Sequence, residues 1–483
     1  MKIKSVLTFL AILAVLRCVW LAFQGVAPAD AYEWLCAARL SAAYFDGPPG
    51  TAFLLKIVGG LAGDSLQIAR FVWPLMGFVA AALAWLLASR IYDGVVATWV
   101  VIGLNALPVF NENAVAVSPL MPTLVLLLAG MLAAHTAWNG MSGAWFVAAV
   151  FFALAALFRY EAVLVPLGLV VAILLSEEQR ESGWIGALAL MALPLITLWR
   201  PLAWNAALEW VPLAGGTFRT FWLPNPSTWL EALWRFGKNF SPAIALLLMG
   251  GFLVQTLTSW GSSKNVFPLF LALFPVGWTL YSFATGRDFL AASWIACVPI
   301  LLFTAAHWIR DRAMPLVGSI LILQGLVFSG IGLYHSGLMR SGWAVLASQI
   351  HEASGSMPPS QGGGFLIADN KDLASVLSIY FKSVGQTAYP PVFVPESPAI
   401  TSQFGIWPSY ADFIESDKPA DEYFTEQKGY NPFIGRNALF IGSDLPQTIK
   451  GAFSEVKSLR KISLPDGSEI IIFLCLGYQT LPL

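Results

Sequence analysis

Two arginines with acidic neighbours, in Arg159-Tyr160-Glu161 and in Arg287-Asp288, fall at the predicted outer ends of apolar runs. A guanidinium at that depth can bind a phosphate at the lipid headgroup level through charge-assisted hydrogen bonds. It can equally pair with Glu161 or Asp288 at the surface, an interaction of small energy. Four carboxylates belong to segments expected on the same side: Asp30, Glu33, Asp46 and Glu112. A carboxylate beside a hydroxyl can take its proton as a general base. Each also has an ordinary role open to it. Asp30 can cap a helix that starts near Ala31, and Glu33 can face solvent. Asp46 can hold the Gly47-Pro48-Pro49 turn through its own backbone bonds, and Asn111-Glu112-Asn113 can be a wet loop. Arg17 lies inside the first apolar run, where it is expected to snorkel or pair. Cys18, Cys36, Cys297 and Cys475 show no CxxC or Cys/His spacing for a metal. A Cys36–Cys475 disulfide has no support in the sequence.

The elements that carry these residues are membrane elements. The 483 residues are 57% hydrophobic and only 11% charged, with a mean hydropathy of +0.69. Soluble domains are about one-quarter charged, so lipid must cover much of this surface. The net charge of -1 argues against a nucleic-acid partner. Twenty Trp and thirty-three Phe suit interface belts and a lipid-facing exterior. Apolar runs at 5–23, 68–89, 95–110, 115–137, 143–158, 162–176, 184–203, 241–259, 266–284, 289–306 and 314–334 read as about eleven spans. The first is long for a signal peptide and lacks a clear cleavage site, so it reads as an uncleaved span.

Three connections on one side are long: 24–67, 204–240 and everything after 335. The short connections on the other side carry Lys2, Lys4, Arg90, Arg180, Lys264, Arg310 and Arg312, which favours a cytoplasmic N-terminus. Within 24–67, residues 31–43 and 50–62 read as two helices on the outer membrane surface, joined by a turn at 44–49. Past a Gly/Ser-rich linker at 336–363, composition shifts to that of a small α/β domain at 364–483. Its expected order is strand (GGFLIADN), helix capped by Asp369 or Asn370 (KDLASVLSIYFKSV), strand (NALFIGS), helix (DLPQTIKGAFSEV) and final strand (SEIIIFLCLGY).

Residues 28–73 then carry a specific signal. The segment resembles the first outer loop of GT-C class glycosyltransferases that use polyprenyl-phosphate sugars, such as the protein O-mannosyltransferases and lipid A aminoarabinose transferases. That loop reads Asp-Glu-Ala-x-Tyr-Trp, then about ten residues on Tyr-x-Asp-His-Pro-Pro, then Phe-Gly-x-Ser and an Arg. The counterparts here are Tyr32, Trp34, Tyr44, Asp46, Pro48, Pro49, Gly63, Ser65 and Arg70. Residues 107–127 look like the second outer loop and following span, and Arg159-Tyr160 matches a basic-Tyr pair at a span boundary. Arg287-Asp288-Phe289-Leu290 loosely matches an Arg-Tyr-Leu before a late span, and IADNKDLASVLSIYF and SQFGIW resemble the outer domain of bacterial members.

The chain departs from the pattern at its acids. Gapless alignment puts Ala29 at the catalytic Asp, Asp30 at the following Glu, and Leu120 at the acidic residue of the second outer loop. Gly47 replaces the His of the turn.

The resemblance implies a polytopic α-helical membrane protein, with residues 1–335 in a GT-C-like transmembrane domain and an extracytoplasmic α/β domain after it. It implies transfer of a sugar from a polyprenyl phosphate to a lipid, glycan or protein acceptor by inverting displacement. The setting it implies is the outer face of a bacterial inner membrane. Asp30 would act as base with Glu112 assisting, and Arg159, Tyr160, Arg287, Glu33, Asp46 and Arg70 would bind substrate. No metal ligands are assigned and no cofactor is required; a divalent cation is left open as an aid. A catalytically degenerate relative that binds lipid-linked sugar or a partner is the second reading, motivated by Ala29 and Leu120. A transporter is the third, weakened by the lack of an internal repeat.

Overall fold

The computed structural model describes residues 3–214, 250, 253, 263–285, 315–360, 362–381, 390–397, 400–412, 414–415, 429–464 and 469–479. The runs 241–259 and 289–306, most of the connection 204–240, Arg287 and Cys297 fall wholly or nearly so outside them. The chain divides into two compact units: 1–23, 40–210 and 217–334 in the first, and 24–39, 211–216 and 335–483 in the second.

The first unit is helical. Its described elements are α1 (Ile3–Ala22), α3 (Gly50–Leu61), α4 (Leu66–Ala69), α5 (Val72–Ile91), α6 (Gly94–Ala106), α7 (Pro108–Ala114), α8 (Leu120–Trp138), α9 (Ala144–Ala156), α10 (Leu164–Leu175) and α11 (Glu177–Ala207). The intervening α2 (Pro28–Ala38) belongs to the second unit. A helix Ser263–Thr285 follows, and a helix Pro315–Gly355 gives its residues through Tyr334 to this unit. Four helical stretches among the described residues are long and apolar enough to cross a membrane: Ile3–Ala22, Leu66–Ile91, Leu120–Trp138 and Gly183–Ala207. Small side chains line their contacts: Ala80, Ala81, Ala84 and Ala88 of α5 and Ala148 and Ala149 of α9 are fully buried. Without a hydrophobic drive between helices in lipid, close backbone approach past small residues is what holds such a bundle.

The run expected as one span at 95–110 is broken. α6 is capped by Asp93, whose Oδ1 accepts from Val95 N at 2.7 Å and Val96 N at 3.0 Å. It ends at Ala106, and α7 departs at 70°. Pro108 is the cause: it has no N–H to donate and keeps Leu107 out of the α region, at φ -72°, ψ 126°.

The second unit contains α2 packed on the helix Lys371–Tyr380. That helix is capped by Asn370, whose side chain accepts from Leu373 N at 2.9 Å. The sheet has β1 (Phe365–Ala368), β4 (Ala438–Gly442), β6 (Glu469–Tyr478) and β5 (Phe453–Ser463), side by side in that order. β1 and β4 are parallel and the other pairs antiparallel. β2 (Ile414–Glu415) and β3 (Gly429–Tyr430) form a separate short pair. An aromatic core of Phe365, Phe393, Tyr410, Phe433, Phe453 and Tyr478 fills one face.

Two sequence expectations change here. The helix over DLPQTIKGAFSEV stops at Ala452, and Phe453 opens β5, an edge strand with only Phe453 and Ile462 buried. Its exposed Glu455, Lys457, Arg460 and Lys461 hide the strand period and blunt the edge against further pairing. The stretch expected as a linker is helical as far as Gly355. Cys36 and Cys475 are free thiols, so the disulfide is absent.

Candidate functional site

In the first unit, the turn Tyr44–Gly47 closes on itself, with Tyr44 N donating to Gly47 O at 2.9 Å and Gly47 N to Tyr44 O at 3.1 Å. Asp46 at its tip is exposed, as a turn-bracing residue would be. Pro48 and Pro49 lead into α3, whose first residue, Gly50, donates its amide to Leu157 O at 2.7 Å. A Cβ at Gly50 would stand 2.5 Å from that oxygen, so only glycine admits the approach. The 44–49 turn is thereby docked on the loop that carries Arg159.

Arg159 is partly exposed and engages Glu161 twice, Nε to Oε2 at 3.2 Å and Nη2 to Oε1 at 2.9 Å. The surface pairing expected as the ordinary alternative is therefore made. Tyr160 accepts from Asn205 Nδ2 at 3.1 Å at the end of α11, which ties the same loop to a third element. Arg70 is fully buried and donates from Nη2 to Leu21 O at 3.0 Å, meeting a free carbonyl at the C-terminal end of α1. Arg287 lies outside the described residues.

Glu112 sits on α7, half-buried, against the helix Pro315–Gly355; an added Cβ at Gly332 would collide with its Oε1. The adjacent Asn111 is buried and belongs to a polar cluster that the sequence reading passed over. Arg17 does not snorkel. It is buried in α1, donating from Nη2 to Asn105 Oδ1 at 2.9 Å and Asn111 Oδ1 at 2.5 Å, with its guanidinium 5.2 Å from the Phe110 ring. Beyond α7, Ser118 Oγ donates to Asn113 Oδ1 at 2.6 Å, and Trp73 Nε1 donates to Ser118 O at 2.8 Å. The loop read as wet is an ordered half-helix.

In the second unit, Asp30 stands in the first turn of α2, fully buried, and its Oδ2 accepts from Ala27 N at 3.2 Å. That is the reciprocal half of a capping box, formed behind Pro28, a residue suited to a helix start. The helix-capping alternative is thus present. Glu33, on the next turn, is half-buried. Lys371 Nζ lies 5.3 Å over the ring of Tyr32, and Arg39 lies 5.2 Å over that of Trp407, both cation–π contacts. Desolvation lowers the pKa of Arg39. Lys371 was not singled out by the sequence, because nothing local links it to α2.

Asp46, Arg159 and Tyr160 are brought to neighbouring loops of the first unit, where Glu112 and Arg70 also lie; Asp30 and Glu33 share α2 in the second. Among the described residues no group of three or more His, Cys, Asp or Glu could hold a metal ion.

Residues 46–204 match the family model of dolichyl-phosphate-mannose-protein mannosyltransferase. No curated protein matches the chain by sequence. The fold is similar to crystal structures of ArnT from Cupriavidus metallidurans. The undecaprenyl phosphate-bound form gives 13% identity and a TM-score of 0.61 over 100% of both chains. The apo form gives 13% and 0.56 over 99% of both. The archaeal oligosaccharyltransferase AglB from Archaeoglobus fulgidus, in complex with an inhibitory peptide and a dolichol-phosphate, is similar at 11% identity and a TM-score of 0.51. That match covers 78% of this chain and 64% of the other. The chain has the GT-C fold of these membrane proteins, as residues 28–73 led one to expect.

Proposed function

We propose that this chain is an inverting membrane glycosyltransferase. It would move a sugar from a polyprenyl phosphate to a lipid, glycan or protein acceptor at the extracytoplasmic face of a bacterial inner membrane, its N-terminus cytoplasmic. The observation that carries this reading is the fold likeness along the whole of both chains to a protein solved with undecaprenyl phosphate, joined to the mannosyltransferase-family match over 46–204.

In the reaction, an acceptor hydroxyl attacks the anomeric carbon from the face opposite the phosphate. The new glycosidic bond forms as the bond to phosphate oxygen breaks, and the hydroxyl proton passes to a carboxylate. Asp30 is the proposed base and Glu112 its assistant. Arg159 offsets charge on the departing polyprenyl phosphate, with Tyr160 beside it and Arg287 as a second cation. Glu33, Asp46 and Arg70 belong to the proposed substrate-binding set; for Arg70, the buried bond to Leu21 O makes that contribution one of scaffolding. A divalent cation would add Lewis-acid help, but no step here is assigned to it.

A second reading has its own support. Asp30 already accepts a helix-start amide, Arg159 is already paired to Glu161, and Ala29 and Leu120 replace expected acids. These fit a relative that keeps a lipid-phosphate site and binds without turnover. Sugar transfer in membranes separates the two. The first reading expects transfer that Asp30→Asn lowers by roughly 10²-fold or more. Full transfer by Asp30→Asn would remove Asp30 from the role.

A further inference from the structure

A helix broken at membrane depth exposes carbonyls that water cannot reach. At the α6–α7 break these are the carbonyls of Asn105 and Ala106, since Leu107 O takes the backbone amide of Asn111 at 3.2 Å. Both are reached by side chains. Asn111 Nδ2 reaches Asn105 O at 2.8 Å and Leu107 O at 3.1 Å, and Ser329 Oγ, whose one proton also faces Gly325 O at 2.9 Å, reaches Ala106 O at 3.3 Å. Asn111 Nδ2 also reaches Ser329 Oγ at 3.1 Å. The break is therefore built and not frayed.

One cation ties its two sides. Arg17 Nη2 bonds Asn105 on α6 and Asn111 on α7, and no carboxylate among the described residues pairs with it. A buried guanidinium held by two neutral amides and the Phe110 ring, with no carboxylate among the described residues, costs stability that a hydrophobic residue would spare. Such a residue inside a membrane invites a functional explanation. Asn111 precedes Glu112 on α7. Ser329 and Gly332 lie three residues apart on one helix, so they share a face. Ser329 holds Asn111, and Gly332 leaves the room that the Glu112 carboxylate fills.

We propose that Arg17, Ser329 and Gly332 are positioning residues for Glu112: the first two lock the half-helix α7 in place, and the third admits its carboxylate. The inference rests on the glycosyltransferase reading for the role of Glu112, but the locking of α7 stands apart from it.

The test uses the full chain in liposomes, with total undecaprenyl-phosphate-sugar extract as donor, total envelope lipid, glycan and protein extract as acceptor, and release of undecaprenyl phosphate as readout. Arg17→Met and Gly332→Ala are each expected to slow release by roughly 10²-fold, the scale of an ångström misplacement. Undecaprenyl phosphate binding should stay within about twofold, since uniform binding is untouched. Arg17→Lys should recover part of the rate. Unchanged release, or loss of undecaprenyl phosphate binding in Arg17→Met, overturns the proposal. Gly332→Ala guards against misfolding, because the atoms nearest its methyl all belong to the flexible Glu112 side chain. A second arm places Ala116→Cys, just past α7, in a background with the native cysteines changed to alanine. Arg17→Met should speed its labelling by a membrane-impermeant maleimide several-fold. An unchanged labelling rate means Arg17 does not hold α7. If the unsubstituted protein releases nothing, the glycosyltransferase reading fails while this arm still decides the locking.

Discussion

Gly50 N donates to Leu157 O at 2.7 Å, and a Cβ on Gly50 would stand 2.5 Å from that oxygen. The 44–49 turn and the Arg159 loop are thus joined backbone to backbone. Gly50→Ala must push them apart, at a cost of about 1–3 kcal/mol for overpacking. Thermal unfolding in detergent should show a lowered midpoint. Gly60→Ala is the control, because a Cβ there meets nothing within 4 Å.

Arg159 and Glu161 make a partly exposed pair, with side-chain exposures of 22% and 10%. Such pairs contribute about 0–1 kcal/mol, so neither Arg159→Gln nor Glu161→Gln should move the unfolding midpoint far. If Arg159 meets the donor phosphate, Arg159→Gln raises the donor KM while Glu161→Gln does not. Equal kinetic effects from both would identify the pair itself as the working unit.

The second unit carries a pH-dependent element. Burial raises the pKa of Glu396 above its ordinary value, against the opposing hydrogen bond from Ser409 and with help from the nearby charge of Asp412. A carboxyl raised in the folded state binds its proton more tightly there than in the unfolded chain. Stability from it is therefore present at acid pH and lost as pH rises from the ordinary carboxylate range through the raised value. Glu396→Gln, which keeps an acceptor for Ser409, should unfold at a higher temperature than the unsubstituted protein at neutral pH. The difference should vanish in acid. A difference independent of pH would assign the effect to packing instead.

The buried Arg17 predicts a further stability effect. Asn111→Leu leaves Arg17 one acceptor short and strips the side-chain donor from Asn105 O, while Leu107 O keeps the backbone amide of residue 111. Leaving a buried charged donor unsatisfied costs about 1–3 kcal/mol or more, which should appear as a lowered unfolding midpoint. Asn113→Leu, on the same half-helix but half-buried and without a bond to Arg17, should cost less.

The helices read at 31–43 and 50–62 were legible from the amphipathic pattern of the first and the Pro48-Pro49 turn before the second, and α2 and α3 overlap them. So were β1, β4 and β6, whose buried apolar runs announce themselves, and the Asn370 cap. β5 was not, since a charged edge strand has no apolar period to read. The α6–α7 break had a signal in Pro108, but an apolar run of that length also suits a straight span. The Arg17 cluster was beyond reach. Its partners Asn111 and Ser329 are 94 and 312 residues away along the chain (111 - 17 and 329 - 17), and only the fold brings them together. The Arg159–Glu161 pair was legible, because its two members stand within three residues of sequence.

The central claim is turnover of a polyprenyl-phosphate sugar. The direct measurement is release of undecaprenyl phosphate from labelled undecaprenyl-phosphate sugars by the purified protein in liposomes supplied with a total envelope extract as acceptor, with the anomeric configuration of the product determined. The account predicts multiple turnovers, an inverted product, and a fall of roughly 10²-fold or more with Asp30→Asn. Saturable binding of the labelled lipid with no release would contradict it and leave the non-catalytic binding protein as the reading that stands.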